Sequence, residues 1–280
     1  MLKDITIGQY FPGSSFIHRL DPRVKIILTI AYIVMLFVVS NAIGFLIGIA
    51  LLIVSYAVAK IPAKMMLKGI KPIIPIVIFT GILNLFFVSG TPIFEWGFLK
   101  ITYEGLRLAV IMAIRILALI AGASLLTYTT SPIELTDAIE SHLKPMTVLR
   151  FPVHELAMMM TIALRFIPTL IEETDKIMSA QKARGADFES GNLLQRAKAL
   201  VPILIPLFIS AFRRADDLAM AMECRCYHGG EGRTRMKQLH LGAIDLYGAL
   251  IMVLCIAGVV CINLFVPAFF YGAVYEKFTV

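Results

Sequence analysis

Five stretches of this chain are apolar for longer than a soluble core can use. Val24 to Ser40, Ala42 to Ala59, Ile70 to Val88, Leu106 to Tyr128 and Ile244 to Phe270 each hold roughly the 17 to 25 residues that a membrane-crossing helix needs. Hydrocarbon offers backbone amides no partner, so such segments become helices that satisfy their own hydrogen bonds. The first two runs together are too long for one crossing, and Ser40-Asn41 supplies the turn between them. Pro72 and Pro75 lie near the start of the third, where a lost backbone bond is best tolerated. With 59% hydrophobic residues and only 16% charged among 280, the composition is that of an integral membrane protein. The expectation is an all-α, polytopic membrane fold with five transmembrane helices. The N-terminal stretch has no apolar run of the length a secretory leader needs, so the first span is expected to anchor the chain.

Between the fourth and fifth spans, Ser131 to Gly242 carries 14 of the 26 Lys and Arg and 13 of the 19 Asp and Glu. The chain therefore reads as three parts: 1–130 with the first four spans, 131–242 as a water-facing region, and 243–280 with the last span. Lys3, Arg19, Arg23 and Lys25 flank the first span, and Lys60, Lys64, Lys68 and Lys71 follow the second. The opposite loops hold only Lys100, so the positive-inside rule puts the N-terminus and 131–242 in the cytoplasm of a plasma-membrane protein. Cys224 and Cys226 then face a reducing compartment, Cys255 and Cys261 lie in the last span, and no disulfide is expected.

Within the cytoplasmic region, Ser131, Pro132 and Glu134 signal a short helix, and Val153 to Arg184 reads as a long amphipathic one with a kink at Pro168. A second long unit runs from Asn192 to Cys226, with Pro202 and Pro206 near its start. Each ends in an arginine between small residues: Ala183-Arg184-Gly185 and Cys224-Arg225-Cys226. Asp175 and Asp216 both precede their arginine by nine positions, Ile177 and Leu218 by seven, Ala180 and Ala221 by four. Offsets of four and seven share a helix face, so each arginine ends an apolar stripe. A cation is well tolerated at a helix C-terminus, and a lone arginine there is ordinary. Two with matched spacing suggest two plugs, each a five-donor guanidinium whose small neighbours leave the approach open.

With "KARGADFE", "AMECRCYHGGEGRTRMK" and the N-terminal "IHRLDPRVKI", the sequence resembles the transmembrane T component of energy-coupling factor transporters, a class of ABC importer. The likeness covers most of the chain. It implies cytoplasmic coupling helices that end in Ala-Arg-Gly-like motifs, each docking on one of two ABC ATPase subunits. Ala183, Arg184 and Gly185 match that motif outright. Cys224, Arg225 and Cys226 depart from it at both neighbours, though cysteine is also small. The implied protein is a scaffold and not an enzyme: the partner ATPases bind ATP and Mg and hydrolyse the nucleotide. A membrane-embedded S component, dedicated or exchanged among several, binds the micronutrient, a vitamin or a metal. No cofactor is expected in this chain. The implied partners are these proteins and the lipid bilayer, with no nucleic acid.

Other signals are weaker. No Gly is followed by Lys, so a phosphate-binding P-loop is absent from the sequence. "HELAM" from His154 begins like a zinc-protease helix but has Met158 where the second His ligand must stand. Cys224, Cys226 and His228 lack a fourth ligand. "GGEGRTR" reads as a flexible exit, with Arg233, Arg235 and Lys237 positioned to meet anionic headgroups. A self-sufficient secondary transporter is the rival, but the first four spans contain no Asp or Glu to carry a proton. Arg115 inside the fourth span is expected to be structural. Eight of the 14 Met fall in 131–242 and suit either a repacking surface or a helix-crossing core. The charge asymmetry predicts that, in sealed cells, an impermeant maleimide reaches a cysteine placed at Thr91 and misses one at Lys64; labelling at Lys64 reverses the orientation.

Overall fold

The computed structural model describes residues 10–39, 41–89, 91–96, 99–149, 151–188, 192–229 and 239–265. In chain order, α1 spans Phe16–Arg19, α2 Pro22–Val38, α3 Ala42–Ala59, α4 Ala63–Ile70 and α5 Ile74–Phe87. A hairpin follows, β1 Pro92–Trp96 and β2 Leu99–Thr102, then α6 Tyr103–Thr129, α7 Pro132–Leu143, α8 Val153–Ala183, α9 Leu193–Glu223 and α10 Ala243–Phe265. The all-α expectation holds for the body of the fold; the hairpin pairs antiparallel, Trp96 opposite Leu99, in a segment expected to be a plain loop. Contacts divide the described residues into two compact units, one of 10–135 and 239–265, the other of 136–229.

Among the described residues, five helices are long and apolar enough to cross a membrane: Ala42–Ala59, Ala63–Phe87, Tyr103–Thr129, Val153–Ala183 and Ala243–Phe265. These are not quite the five expected spans. The expected first span forms α2, which at 17 residues sits at the lower bound for a crossing. Val153–Ala183 qualifies by length, but its most apolar window has a mean hydropathy of 1.3, against 2.0 to 2.6 for the others. Glu172, Glu173, Asp175 and Lys176 crowd one turn of it, which leaves α8 amphipathic. The third span also begins earlier than expected. Lys64 and Lys68 ride on α4, a 3-10 turn over Lys71–Ile73 holds Pro72, and α5 continues with Pro75 in its first turn, so the prolines mark a break between two helical pieces.

In the first unit α2, α3, α6 and α10 enclose a core of Tyr32, Met35, Leu36, Val39, Phe45, Ala118 and Val259. A second cluster, Tyr56, Ala59, Ile61, Ala121 and Tyr128, joins α3 to α6. Several buried polar groups here donate to backbone carbonyls of other elements. Lys25 Nζ donates to His18 O at 3.1 Å and Thr129 O at 2.9 Å, closing the C-terminal carbonyls of α1 and α6. Tyr56 donates to Ala121 O at 2.8 Å and Tyr128 to Met65 O at 3.1 Å. Arg115 is buried, and its Nη2 donates to Val39 O at 3.3 Å at the end of α2, in line with the structural role expected. The motif around Asp21 ties the start of α2 to that of α10. Asp245 accepts from Asp21 N–H at 2.7 Å and Gly242 N–H at 2.8 Å, while Arg23 bonds the Asp21 carboxylate and Leu239 O, both at 2.9 Å.

Gly122 lets α6 meet α2 at a distance no side chain permits: a Cβ there would lie 2.5 Å from the Tyr32 ring. Because Tyr32 is itself packed, Gly122→Ala is expected to lower stability by about 1 to 3 kcal/mol. Adding Tyr32→Leu should recover part of that loss. Thermal unfolding of the purified protein in detergent checks both.

Candidate functional site

The second unit is built on α8 and α9, two helices of 31 residues each. They pack in opposite directions. Glu173 meets Ser210 and Arg214, while farther along Met158 and Ile162 share a groove with Leu218 and Met222. At the crossing, Arg214 Nη2 donates to Glu173 Oε2 at 2.8 Å, the Ser210 hydroxyl donates to Glu173 Oε1, and Arg214 Nε reaches Ser210 Oγ at 3.5 Å. The Ser210 hydrogen bond draws the Glu173 carboxyl below the usual carboxylate range; burial pushes it up, and the Arg214 charge adds to the lowering. The crossing is therefore an ion pair at neutral pH. Its contribution is present above the ordinary carboxylate range and fades as acid protonates Glu173. Asn192 N–H donates to Gln195 Oε1 at 3.0 Å, part of a capping box that starts α9.

Both helices end in the same way. After α8, Gly185 N–H donates to Lys182 O and Ala186 N–H to Gln181 O, each at 3.0 Å, with Gly185 in the left-handed region at φ 87°. After α9, Cys226 N–H donates to Glu223 O at 2.9 Å and Tyr227 N–H to Met222 O at 3.1 Å, with Cys226 at φ 54°. Each is a Schellman motif, which satisfies terminal carbonyls by turning one residue left-handed. Register is conserved to the residue: Arg184 and Arg225 each immediately precede the left-handed position. Both arginines are exposed, and among the described residues neither guanidinium has a hydrogen-bond or ion-pair partner. Ala183, Gly185, Cys224 and Cys226 are exposed beside them.

The geometry adds a backbone role to the flanking residues. A Cβ on Gly185 would meet nothing within 4 Å, so space is not the constraint there; the backbone angle is. Cys226 holds an angle that favours glycine, a local strain of order 1 kcal/mol or more. The spacing of the arginines was visible in sequence. The left-handed turn was signalled by Gly185 and hidden at Cys226, because cysteine rarely adopts it.

The two ends differ in their surroundings. Beside Arg225 lies a groove of about 520 Å³ lined by Met158, Ile162, Leu218, Met222 and Tyr227. Met159 and Met220 are exposed nearby in sequence, while Met158 and Met222 are half-buried and line the groove between the two helices. His154, offered by the broken zinc pattern, bonds Glu140 at 3.4 Å, and no metal-holding group of His, Cys, Asp and Glu forms among the described residues. Arg233, Arg235 and Lys237 fall outside the described residues.

The sequence profile of the cobalt transport protein family, CbiQ, matches residues 13–236. A protein of Ruminiclostridium cellulolyticum named energy-coupling factor transporter transmembrane protein EcfT is 59% identical over 246 residues, 88% of this chain and 92% of that one. The protein of the same name from Clostridium kluyveri is 59% identical over 266 residues, covering 94% and 97%, and that of Acidaminococcus fermentans is 54% identical over 252 residues, covering 90% and 94%.

If the helix ends are as described, Cys226→Gly relieves strain and stabilises the end of α9 by about 1 kcal/mol, while Gly185→Ala costs about as much at α8 and Gly185→Asn costs less. Hydrogen exchange at the Tyr227 and Ala186 amides, the closing donors of the two motifs, reads each effect locally.

Proposed function

This chain belongs to the cobalt transport protein family, as the transmembrane scaffold of an energy-coupling factor transporter, and we propose that Arg184 and Arg225 are its two points of contact with ATPase subunits. Membership sets aside the self-sufficient secondary transporter. One observation carries the proposal: two exposed, unpartnered guanidiniums stand at the same position of two identical helix terminations. A Schellman end fixes the chain direction immediately after each arginine, so the guanidinium is presented from a rigid base. Its five donors suit a cleft lined with carbonyls or carboxylates.

In this reading the two partner ATPases bind ATP and Mg and do the hydrolysis, and this chain catalyses nothing. ATPase closure displaces the arginine-tipped helices. The displacement passes to an S component in the membrane, which holds the substrate and is either dedicated or exchanged among several. The N-terminus and both arginines face the cytoplasm of a plasma-membrane protein. The methionine-lined groove beside Arg225 gives the second contact a larger footprint than the first.

Arg184→Glu or Arg225→Glu is expected to leave the protein inserted and bound to its S component while weakening ATPase association. Loss of a charge-assisted contact at each site costs about 2 to 5 kcal/mol. Uptake of radiolabelled substrate should be abolished, and the double reversal should be at least as severe. The measurement is uptake beside co-purification of the ATPases. Full uptake and full ATPase recovery with both arginines reversed returns them to ordinary helix-end cations.

A further inference from the structure

The two helices that carry the arginines are related by a shift of 41 residues, which superposes Asp175 on Asp216, Ala180 on Ala221 and Arg184 on Arg225. The same shift superposes Glu173 on Arg214. These two residues are also the ones that bond each other across the crossing, at 2.8 Å. In an arrangement with local two-fold symmetry, residue i meets residue j and j meets i, so a position that meets its own equivalent lies on the axis. The Glu173–Arg214 pair therefore marks the axis about which the two helices are equivalent.

Three further features converge on this point. From Glu173 to Arg184 and from Arg214 to Arg225 the arms are eleven residues each, roughly 16 Å of helix. Neither arm contains proline or glycine, whereas Pro168, Pro202 and Pro206 all lie on the far side of the crossing from the arginine they precede. Proline removes a backbone bond and eases bending, so each helix is stiffer between crossing and tip than before the crossing, though both run unbroken through their prolines. Both carboxylate oxygens of Glu173 are engaged, one by Ser210 and one by Arg214, on successive turns of α9. Apolar ridges packed in grooves can slide, whereas a directional contact held at two points fixes the register of one helix on the other.

We propose that Glu173, Ser210 and Arg214 form a fulcrum: positioning residues that hold α8 and α9 at one register, so that equal stiff arms carry equal and opposite displacements to Arg184 and Arg225. The proposal rests on the reading of those arginines as ATPase contacts. Under it, a mismatch at the crossing lets one arm slip against the other. The ATPases then still bind and still hydrolyse ATP, but the stroke is not transmitted.

The test uses the complete transporter with Glu173→Arg, Arg214→Glu, the double swap, and Glu173→Gln as a milder variant that keeps a side chain able to bond Ser210. Each single reversal is expected to reduce substrate uptake about tenfold or more while ATPase subunits co-purify at normal yield. The double swap should restore most of the uptake, and Glu173→Gln should fall between. Spin labels at Ser179 and Met220, which are equivalent exposed positions on the two arms, add a readout that loss of folding does not imitate. Relative to a parent with Cys224→Ala, Cys226→Gly, Cys255→Ala and Cys261→Ala, their distance distribution should broaden in each single reversal and narrow again in the swap. Unchanged uptake and distances in the single reversals, or a swap no better than either, overturn the fulcrum. The ATPase-contact reading fails separately, if Arg184→Glu and Arg225→Glu in the same transporter retain their ATPases. Loss of ATPases from those variants, with node variants that behave as the parent, removes the fulcrum and leaves the contacts standing.

Discussion

A backbone carbonyl in hydrocarbon has nowhere to turn but to the protein itself, and this constraint organises the membrane unit. Helices leave their last carbonyls unpaired, and here side chains from other helices reach them. Lys25 closes the ends of α1 and α6, Arg115 reaches the end of α2, and Asn263 donates to Val38 O beside it at 2.9 Å. The tyrosines instead donate to carbonyls within neighbouring helices, Tyr56 to Ala121 O of α6 and Tyr128 to Met65 O of α4. A cation buried in such a place would be costly for transport chemistry and is well used as a cap. That explains why a transport protein can bury Lys25 and Arg115 without either lying on an ion path.

The spans were legible because length and apolarity alone decide them, and the two arginines were legible because their spacing repeats. What escaped the sequence depends on distant partners or on backbone angle. The "IHRLDPRVK" stretch stood out only by likeness; its physical task, Asp21 and Arg23 joining the start of α2 to Asp245 and Leu239, requires residues more than 200 positions apart. The break between α4 and α5 was misplaced because charged Lys64 and Lys68 hid a helix that begins before the apolar run. The short hairpin before α6 was unseen because five- and four-residue strands leave too little pattern. Glu173 and Arg214 carried no signal of their own in the sequence, and only their contact shows that the 41-residue repeat turns back on itself.

The two units answer opposite mechanical demands. Around the spans, interlocked caps and the close approach at Gly122 hold helices to fixed neighbours, and apolar faces such as Phe37, Leu46 and Phe79 are left exposed for lipid or for other membrane helices. In α8 and α9 few apolar side chains are buried, large ones such as Leu204, Phe208 and Phe212 are exposed, and the best-defined interaction is a single polar node. A helix pair of this kind has little packing to resist rotation, yet the node resists sliding. Such a pair can change its angle while keeping its register.

A contact point on a moving arm must keep its own shape while the arm turns, or the motion is lost in the joint. The Schellman ends meet that need through backbone hydrogen bonds alone, so each arginine's base is rigid whatever the arm does. At Gly185 the required left-handed angle costs little. At Cys226 a non-glycine residue holds it and the strain persists, which occurs only where the surrounding structure enforces the angle. In the proposed ATPase contact, the turn kept on a residue unsuited to it gives the direction of Arg225 more weight than the stability of the helix end.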